Sequence, residues 1–185
     1  MKKNNIRTIS FCAIMIALST ILSMIKVYDP PLGGSITLLS MLPICLVSIK
    51  FGIAWGLSSS FCYSLIQMFL SLGEVLSWGL TKEALIGTLL LDYILPYTLL
   101  GLAGMFRKKT RLYVVIGISC VILLRAICHY ISGVIIFDIW LPDNWDNVYL
   151  YSLAYQAAYM IPELILTSIS AFALYSFSAI KKALS

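Results

Sequence analysis

The sequence predicts an all-α integral membrane protein with six transmembrane helices and both termini in the cytoplasm. Of its 185 residues, 61% are hydrophobic and only 11% are charged, and the mean hydropathy is +0.96. Soluble domains carry about 25% charged residues, so this chain has too little charge to cover a surface that faces water. Backbone groups in lipid must bond within helices or a closed barrel, and the apolar runs lack the alternation of barrel strands. Residues 1–185 are therefore expected to form a single helical membrane domain.

Six apolar runs define the predicted spans, each with approximate bounds. They cover residues 7–26, 36–49, 52–72, 84–106, 112–137 and 151–178. The second run is short for a crossing of about 30 Å of hydrocarbon, and we expect it to tilt or to bend near Pro43. The first run follows a basic N-terminus, as a signal peptide does, but it is longer than a usual signal-peptide core and no small-residue cleavage site follows. We therefore expect it to remain as the first span.

The distribution of charge predicts the orientation. With the N-terminus inside and six crossings, ten of the thirteen cations lie on the cytoplasmic side, as the positive-inside rule requires. These are Lys2, Lys3, Arg7, Lys50, Arg107, Lys108, Lys109, Arg111, Lys181 and Lys182. Topology thus explains the net charge of +5, and no basic stripe interleaved with aromatic residues lies outside a span. A nucleic acid partner is rejected.

Neither a catalytic site nor a metal site is predicted from motifs. The sequence contains no GxSxG, HExxH, GxGxxG or P-loop pattern, so we expect no enzyme activity and no cofactor. The five cysteines lie in apolar runs without the spacing of metal ligands, and we interpret them as small apolar side chains.

Four ionisable residues lie inside the predicted spans, where such groups are costly and usually functional. Counted from the outer helix ends at 1.5 Å per residue, Asp92 and His129 lie about 12 Å deep, and Arg125 and Glu163 about 18 Å deep. Two layers of matched depth are therefore predicted. The deeper pair is open to two interpretations, a buried ion pair without a ligand or a part of a binding site.

Aromatic residues surround the upper layer. Tyr151, Tyr155 and Tyr159 recur every four residues along the last span, with Gln156 beside them. The fourth span and the outer loops add Tyr93, Tyr97, Trp78, Trp140 and Trp145. Aromatic faces and carboxylates in a low dielectric attract organic cations. The pattern predicts a pocket that opens outward and takes a small, flat ligand that is cationic or zwitterionic.

Five stretches of the chain are similar to the thiamine-specific substrate-binding (S) components of energy-coupling factor (ECF) vitamin transporters, the ThiT/YuaJ family. They comprise residues 33–35, 40–44, 91–104, 124–133 and 151–156, and together with the six-span layout they extend the resemblance over nearly the whole chain. The most specific are 124–133, which contains Arg125 and His129, and 151–156, which contains Tyr151 and Gln156.

The resemblance implies a high-affinity thiamine-binding protein of the cell membrane that performs no chemistry. It would dock onto one coupling membrane protein and two ATPase subunits, which explains why the chain has no nucleotide motif. Asp92 and His129 would contact the charged and amino-bearing parts of thiamine, and Gln156 would hydrogen-bond its pyrimidine. The other implied site residues are Tyr93 and Tyr151, which would stack or hydrogen-bond, and Arg125, Phe137 and Trp78.

Four positions depart from the family pattern. Asp92 stands where Glu is expected, Gln156 where Asn is expected, Arg125 where Lys is expected and Phe137 where Trp is expected. A shorter acid on one helix and a longer amide on another compensate in reach, and Phe137 still supplies an aromatic face.

Ala13 and Ala17 form an Ala-x-x-x-Ala pair on the first span. Small residues four apart let helices approach closely in lipid, so the pair is open to interpretation as an ordinary packing face. The resemblance implies instead that it is the docking surface for the coupling protein.

Two alternatives to thiamine capture stay open at this point. One is an S component or a carrier for another small vitamin or a thiamine precursor. The other is a membrane scaffold whose buried charges only pair with each other.

Overall fold

A computed structural model of the chain describes residues 3–30, 33–107 and 110–177. Within these ranges, six helices form a bundle, and a small antiparallel hairpin and a short 3₁₀ turn lie at one end of it. The helices are α1 (Lys3–Ser23), α2 (Met41–Phe51), α3 (Ile53–Ser77), α4 (Lys82–Phe106), α5 (Arg111–Ile135) and α6 (Val148–Leu174), the strands are β1 (Lys26–Tyr28) and β2 (Ile36–Thr37), and the turn is Phe137–Trp140.

Five of the described helices, namely α1, α3, α4, α5 and α6, are long and apolar enough to cross a membrane. They correspond to five of the six predicted spans, with ends that differ by a few residues. The largest difference is at α3, which continues to Ser77 rather than ending at residue 72. Glu74, which is beyond the end of the predicted span 52–72, therefore lies in the last turn of a helix. Residue 178, the predicted end of the last span, lies outside the described residues.

Large apolar side chains cover the outer faces of these long helices. Ile14, Phe69, Ile86, Ile127 and Ile169, one from each, are between 53% and 65% exposed. A surface with this much exposed hydrocarbon is stable in lipid rather than in water. The exposed apolar surface of these helices therefore confirms the helical membrane fold that was predicted from composition.

The second predicted span, residues 36–49, does not form a helix of membrane length. Residues 36–37 form β2, and helix α2 has only 11 residues, a length of about 16 Å, roughly half the hydrocarbon thickness. α2 is nonetheless the best-buried helix, with Met41, Ile44 and Cys45 fully buried. Pro43 lies in its first turn, where a missing N–H removes no helical hydrogen bond. Because α2 is short, it leaves room above its N-terminus, and the hairpin of β1 and β2 lies there.

Helix α4 is irregular in a way that Pro96 explains. Its turn at Leu89–Ile94 is widened to a π-helix, between α-helical segments that precede and follow it. A proline ring clashes with the carbonyl four residues earlier, here that of Asp92, and a π-turn relieves such a clash at the cost of one regular turn. Asp92 and Tyr93 therefore lie on the widened turn, where their side chains point differently from those of a regular helix.

The inner end of α4 is a tight 3₁₀ segment, Leu100–Phe106, that packs against α2 and α3. The Ser48 hydroxyl donates to the Gly101 carbonyl at 2.5 Å and accepts from the Gly104 N–H at 2.9 Å. These contacts bring the three helices together through atoms of the main chain. There is no room for a Cβ atom at Gly101 or Gly104, so only glycine fits at these two positions.

The basic turns gather at one end of the bundle. An Arg107 N–H donates to the carbonyl of Lys50 at 3.4 Å, and Arg111 donates to the Ser176 hydroxyl at 2.7 Å. This grouping is the one that the charge pattern predicts, although Lys2, Lys108, Lys109, Lys181 and Lys182 lie outside the described residues. That this end faces the cytoplasm stays a prediction.

We expect Gly101→Ala to destabilise the protein. A methyl group at this position would lie 2.5 to 2.6 Å from main-chain atoms of Gly56 and Leu57, and overpacking of this kind costs about 1–3 kcal/mol. Gly73→Ala is the matched control, since it lies in α3 with nothing within 4 Å, and removing a helical glycine stabilises by about 0.5–1 kcal/mol. Thermal midpoints in detergent should move in opposite directions, and a shared direction would contradict this packing.

Candidate ligand-binding site

A cavity of about 130 Å³ lies at the end of the bundle opposite the basic turns. Helices α1, α3, α4, α5 and α6 all contribute to its wall, and the segment between α1 and α2 covers one side. The eight substrate-binding residues implied by the resemblance all line this cavity: Trp78, Asp92, Tyr93, Arg125, His129, Phe137, Tyr151 and Gln156. Trp140 and Trp145, which the sequence also assigned to the pocket, are not among the lining residues. The structure therefore brings together residues from four separate regions of the chain, and their role in binding stays a prediction.

A chain of hydrogen bonds forms the polar wall of the cavity. Arg125 donates its Nε–H to His129 Nε2 at 3.1 Å, and a guanidinium can only donate, so Nε2 carries no proton. The proton of the neutral imidazole is therefore on Nδ1, which donates to Asp92 Oδ1 at 2.8 Å. The second carboxylate oxygen of Asp92 accepts from the Ser132 hydroxyl at 2.5 Å. The arginine thus fixes one tautomer of the histidine, and the predicted contact of Asp92 with His129 is confirmed.

Helix periodicity explains why these groups meet. Arg125, His129 and Ser132 follow one another at spacings of four and three residues on α5, and therefore share one face. Asp92 reaches that face from the widened turn of α4. The side chains of Asp92 and His129 are only 15% and 8% exposed, so the hydrogen bonds replace most of the water that these groups lose.

The interpretation of Arg125 and Glu163, the deeper predicted pair, as a buried ion pair is wrong. Among the described residues Arg125 makes no salt bridge with Glu163; it donates to the Tyr97 hydroxyl at 3.1 Å and its guanidinium lies 4.2 Å from the Tyr97 ring centre. Glu163 instead accepts from Thr37 twice, from the main-chain N–H and from the hydroxyl, both at 2.9 Å. The reason is that β2 descends to the level of Glu163, where Thr37 offers two donors to the two carboxylate oxygens.

The tyrosines of α6 form a continuous row. Ring centres are 6.0 Å apart between Tyr151 and Tyr155 and 6.2 Å apart between Tyr155 and Tyr159. The Tyr159 hydroxyl donates to the side-chain oxygen of Gln156, whose amide donates to the carbonyl of His129 at 3.2 Å. The four-residue spacing therefore builds one aromatic wall, and Gln156 connects it to α5.

Residues 24–30 and 33–40, here called the lid, lie between α1 and α2, line one side of the cavity and touch α6. The Tyr155 hydroxyl donates to the carbonyl of Gly33 at 3.0 Å. Gly34 has a φ of +79°, and a Cβ there would lie 2.6 Å from two ring carbons of Tyr159. Only glycine combines that backbone conformation with so close an approach. Together with the bonds from Thr37 to Glu163, these contacts attach the lid to three residues of α6, namely Tyr155, Tyr159 and Glu163.

An aromatic cluster of Trp78, Phe137 and Trp140 borders the cavity. The Trp78 ring lies edge-on to Phe137 at 5.7 Å and to Trp140 at 6.0 Å, and Phe137 stacks on Trp140 at 5.3 Å. Trp78 comes from the end of α3 and the other two from the 3₁₀ turn after α5. Phe137 stands where the family pattern has Trp, and it still places an aromatic ring in the cavity wall.

Sequence reasoning missed most of the α3 contribution. Gln67, Ser71, Glu74 and Trp78 all line the cavity, at spacings of four, three and four residues that place them on one helical face. Only Trp78 was predicted, because Glu74 lies beyond the predicted end of the span at residue 72 and the polar residues Gln67 and Ser71 inside it were not singled out. Polar residues at helical spacing inside an apolar helix were the signal that could have found the others.

Comparison with known proteins identifies the family. The model of the family described as "Thiamine transporter protein (Thia_YuaJ)" matches residues 9–182. The chain belongs to this family. It is 32% identical over 171 residues to "Thiamine transporter ThiT" of Bacillus subtilis (strain 168), a match that covers 85% of this chain and 84% of that protein.

The fold has a counterpart among solved structures as well. A structure of ThiT from Listeria monocytogenes matches with a TM-score of 0.74 at 21% identity, over 96% of this chain and 97% of that one. Family membership and the five membrane-long helices of the described ranges make the chain a multi-pass protein of the plasma membrane. The resemblance drawn from the sequence motifs is thereby confirmed.

We expect Glu163→Gln to loosen the lid. An amide can still accept from the Thr37 N–H and donate to the Thr37 hydroxyl, but both bonds lose the assistance of the carboxylate charge, and hydrogen bonds to charged groups are worth about 1.5–3 kcal/mol against about 0.5–1.5 kcal/mol for neutral ones. Trypsin cleavage after Lys26, in β1 of the lid, should therefore become faster. Glu83→Gln, a change at an exposed acid near the start of α4, is the control, and equal cleavage rates in both variants would contradict the attachment.

Proposed function

We propose that this chain is the substrate-capture subunit of an ECF-type, ATP-driven importer and that it binds thiamine with high affinity. The observation that carries the proposal is the cavity itself, in which residues predicted from separate motifs converge. A cation, an aminopyrimidine and an apolar ring surface each find complementary groups there. Family membership supports thiamine as the ligand.

The polar chain of α4 and α5 suits the donors and acceptors of thiamine. Asp92 has a carboxylate held in place by His129 and Ser132, and therefore offers oriented lone pairs to an amino group without first reorganising. Gln156 is likewise held between Tyr159 and the His129 carbonyl, close to where a pyrimidine would bind. Tyr93 and Tyr151 provide aromatic surface on either side. Such pre-organised sites bind tightly because little ordering remains to be done on binding.

Import requires energy that this subunit does not supply, because its sequence has no nucleotide-binding motif. We assign that role to partner subunits, a coupling membrane protein and two ATPases. Ala13 and Ala17 are both exposed on α1, so another helix could pack closely against them in the bilayer. This exposure supports α1 as the docking surface.

Titration of the purified protein with thiamine tests the binding function. Trp78 lines the cavity, and Trp140 and Trp145 contact the lining residues Phe137 and Tyr151, so ligand binding should quench tryptophan fluorescence, with saturation at nanomolar thiamine. Asp92→Asn should weaken binding about 10- to 100-fold, since hydrogen bonds to charged groups are worth about 1.5–3 kcal/mol. Asp143→Asn, at an exposed acid outside the cavity, should leave the affinity unchanged.

A flat titration up to millimolar thiamine would remove thiamine as the substrate. Tighter binding of a thiamine precursor than of thiamine would instead favour a subunit or a carrier for that precursor. If neither ligand bound while Asp92→Asn still lowered the thermal midpoint, a scaffold with purely structural buried charges would be the better description.

We expect Ala17→Trp to abolish uptake of thiamine into cells without changing its binding to the purified subunit. A large side chain on the exposed face of α1 prevents close helix contact with a partner, and Ala17 is not among the residues that line the cavity. Ala158→Trp is the matched control, because Ala154 and Ala158 form a second exposed Ala-x-x-x-Ala pair on α6. Uptake at the wild-type rate by the Ala17 variant would refute the docking assignment.

A further inference from the structure

The buried face of α6 carries a hydroxyl group that has no hydrogen-bond partner. Four residues follow one another on this face at four-residue spacing, each at most 2% exposed: Tyr159, Glu163, Thr167 and Ala171. The Thr167 hydroxyl is fully buried, and no group among the described residues forms a hydrogen bond with it. A buried polar group without a partner is costly and calls for an explanation.

The missing bond is one that threonines inside helices usually make. Their hydroxyl donates to the carbonyl four residues earlier, as that of Thr20 in α1 does to the carbonyl of Ile16 at 2.9 Å. The corresponding acceptor for Thr167 is the carbonyl of Glu163, and that bond is not formed. The Thr167 hydroxyl is therefore available to a different acceptor.

The side chain of Glu163 lies one turn away on the same face. Side chains of a helix lean toward its N-terminus, so the Thr167 hydroxyl points toward the level of the Glu163 carboxylate. Residues at this spacing have Cβ atoms about 5–6 Å apart, a distance that a glutamate side chain spans. In this structure the carboxylate is turned toward the lid, where Thr37 donates to both of its oxygens. Glu163 is thus within reach of one donor on the lid and another on its own helix.

Opening of the lid would remove both hydrogen bonds from Glu163. Its side chain is only 2% exposed, and a buried carboxylate without hydrogen bonds is strongly destabilised. Arg125 attracts this carboxylate but, among the described residues, forms no ion pair with it. The guanidinium is instead bonded to His129 and Tyr97. A second donor for Glu163 would therefore make the open lid less costly.

We propose that Thr167 is this second donor and takes the place of Thr37 on Glu163 when the lid opens. Thr167 is then a positioning residue, since it acts through Glu163 and neither of them lines the cavity. Its bond lowers the free energy of the open lid relative to the closed lid. The effect on ligand exchange rests on the proposed capture function, because thiamine would have to pass the open lid, whereas the exchange of partners needs no ligand.

Thr167→Val tests the proposal, because valine has nearly the shape of threonine and no hydroxyl. The lid should open less often, so the rate constants of thiamine association and dissociation, measured by stopped-flow fluorescence, should both fall about tenfold or more, the factor for a hydrogen bond to a charged group. Their ratio, the dissociation constant, should stay unchanged. Thr167→Ser keeps the hydroxyl and should keep both rates. Ser60→Ala is the matched control, since it removes another fully buried hydroxyl without a partner among the described residues, on α3, and should change neither rate.

A measurement without ligand separates the exchange of partners from the capture function. Trypsin cleavage after Lys26 reports opening of the lid in the empty protein, and it should be about tenfold slower in Thr167→Val than in the wild type or in Ser60→Ala. Slower cleavage in a protein that binds no thiamine would refute thiamine capture and support the role of Thr167. Unchanged cleavage in Thr167→Val would overturn that role, whatever the affinity for thiamine.

A double-mutant cycle shows whether Thr167 acts through Glu163. In the Glu163→Gln background, Thr167→Val should slow cleavage only about two- to threefold, because a neutral amide forms weaker hydrogen bonds than a carboxylate. An equal slowing in both backgrounds would also overturn the proposal, since the effect of Thr167 would then be independent of the carboxylate.

Discussion

The hydrogen-bond chain from Arg125 through His129 to Asp92 is the constraint around which the rest of the structure is arranged. A buried charge is tolerated in a bilayer only if protein groups replace its water. Each member of the chain does this for its neighbour, and the chain holds together only while α4 and α5 stay in register. The same bonds fix the tautomer of the imidazole and the direction of the carboxylate, so the interactions that stabilise the bundle also prepare the surface that a ligand would meet.

Whereas the hydrogen-bond chain holds helices together, the short helix α2 leaves space for the cavity. A helix of full membrane length at this position would fill the space that the cavity occupies. The lid takes its place, and its exposed main-chain groups need partners that lipid cannot provide. Tyr155 and Glu163 supply two of these partners from α6. The lid is therefore attached by polar bonds to the helix that carries the tyrosine row, and both elements enclose the same volume.

The sequence was informative wherever helical periodicity governs position. Spacings of three and four residues were enough to predict that Arg125 and His129 share a face of α5 and that the tyrosines share a face of α6, and matched depth along the helices paired Asp92 with His129. Prediction failed where the chain leaves the helix. Nothing in the apolar run 36–49 indicates that it begins as a strand, and the bond from Thr37 to Glu163 joins residues 126 positions apart. Depth alone paired Glu163 with Arg125, because it ignores the donors that a folded loop can bring.

The widened turn of α4 separates the direction of the ligand-facing side chains from the packing of the helix. A π-turn holds one more residue than an α-turn, so deleting one residue from Leu89–Ile94 would restore a uniform helix. Because the extra residue is absorbed within the turn, the inner part of α4, fixed by glycine contacts to α2 and α3, would keep its position. Asp92 and Tyr93, which lie on the turn, would point elsewhere. A change of one residue in chain length would thus alter the lining of the cavity and leave the packing of the bundle as it is.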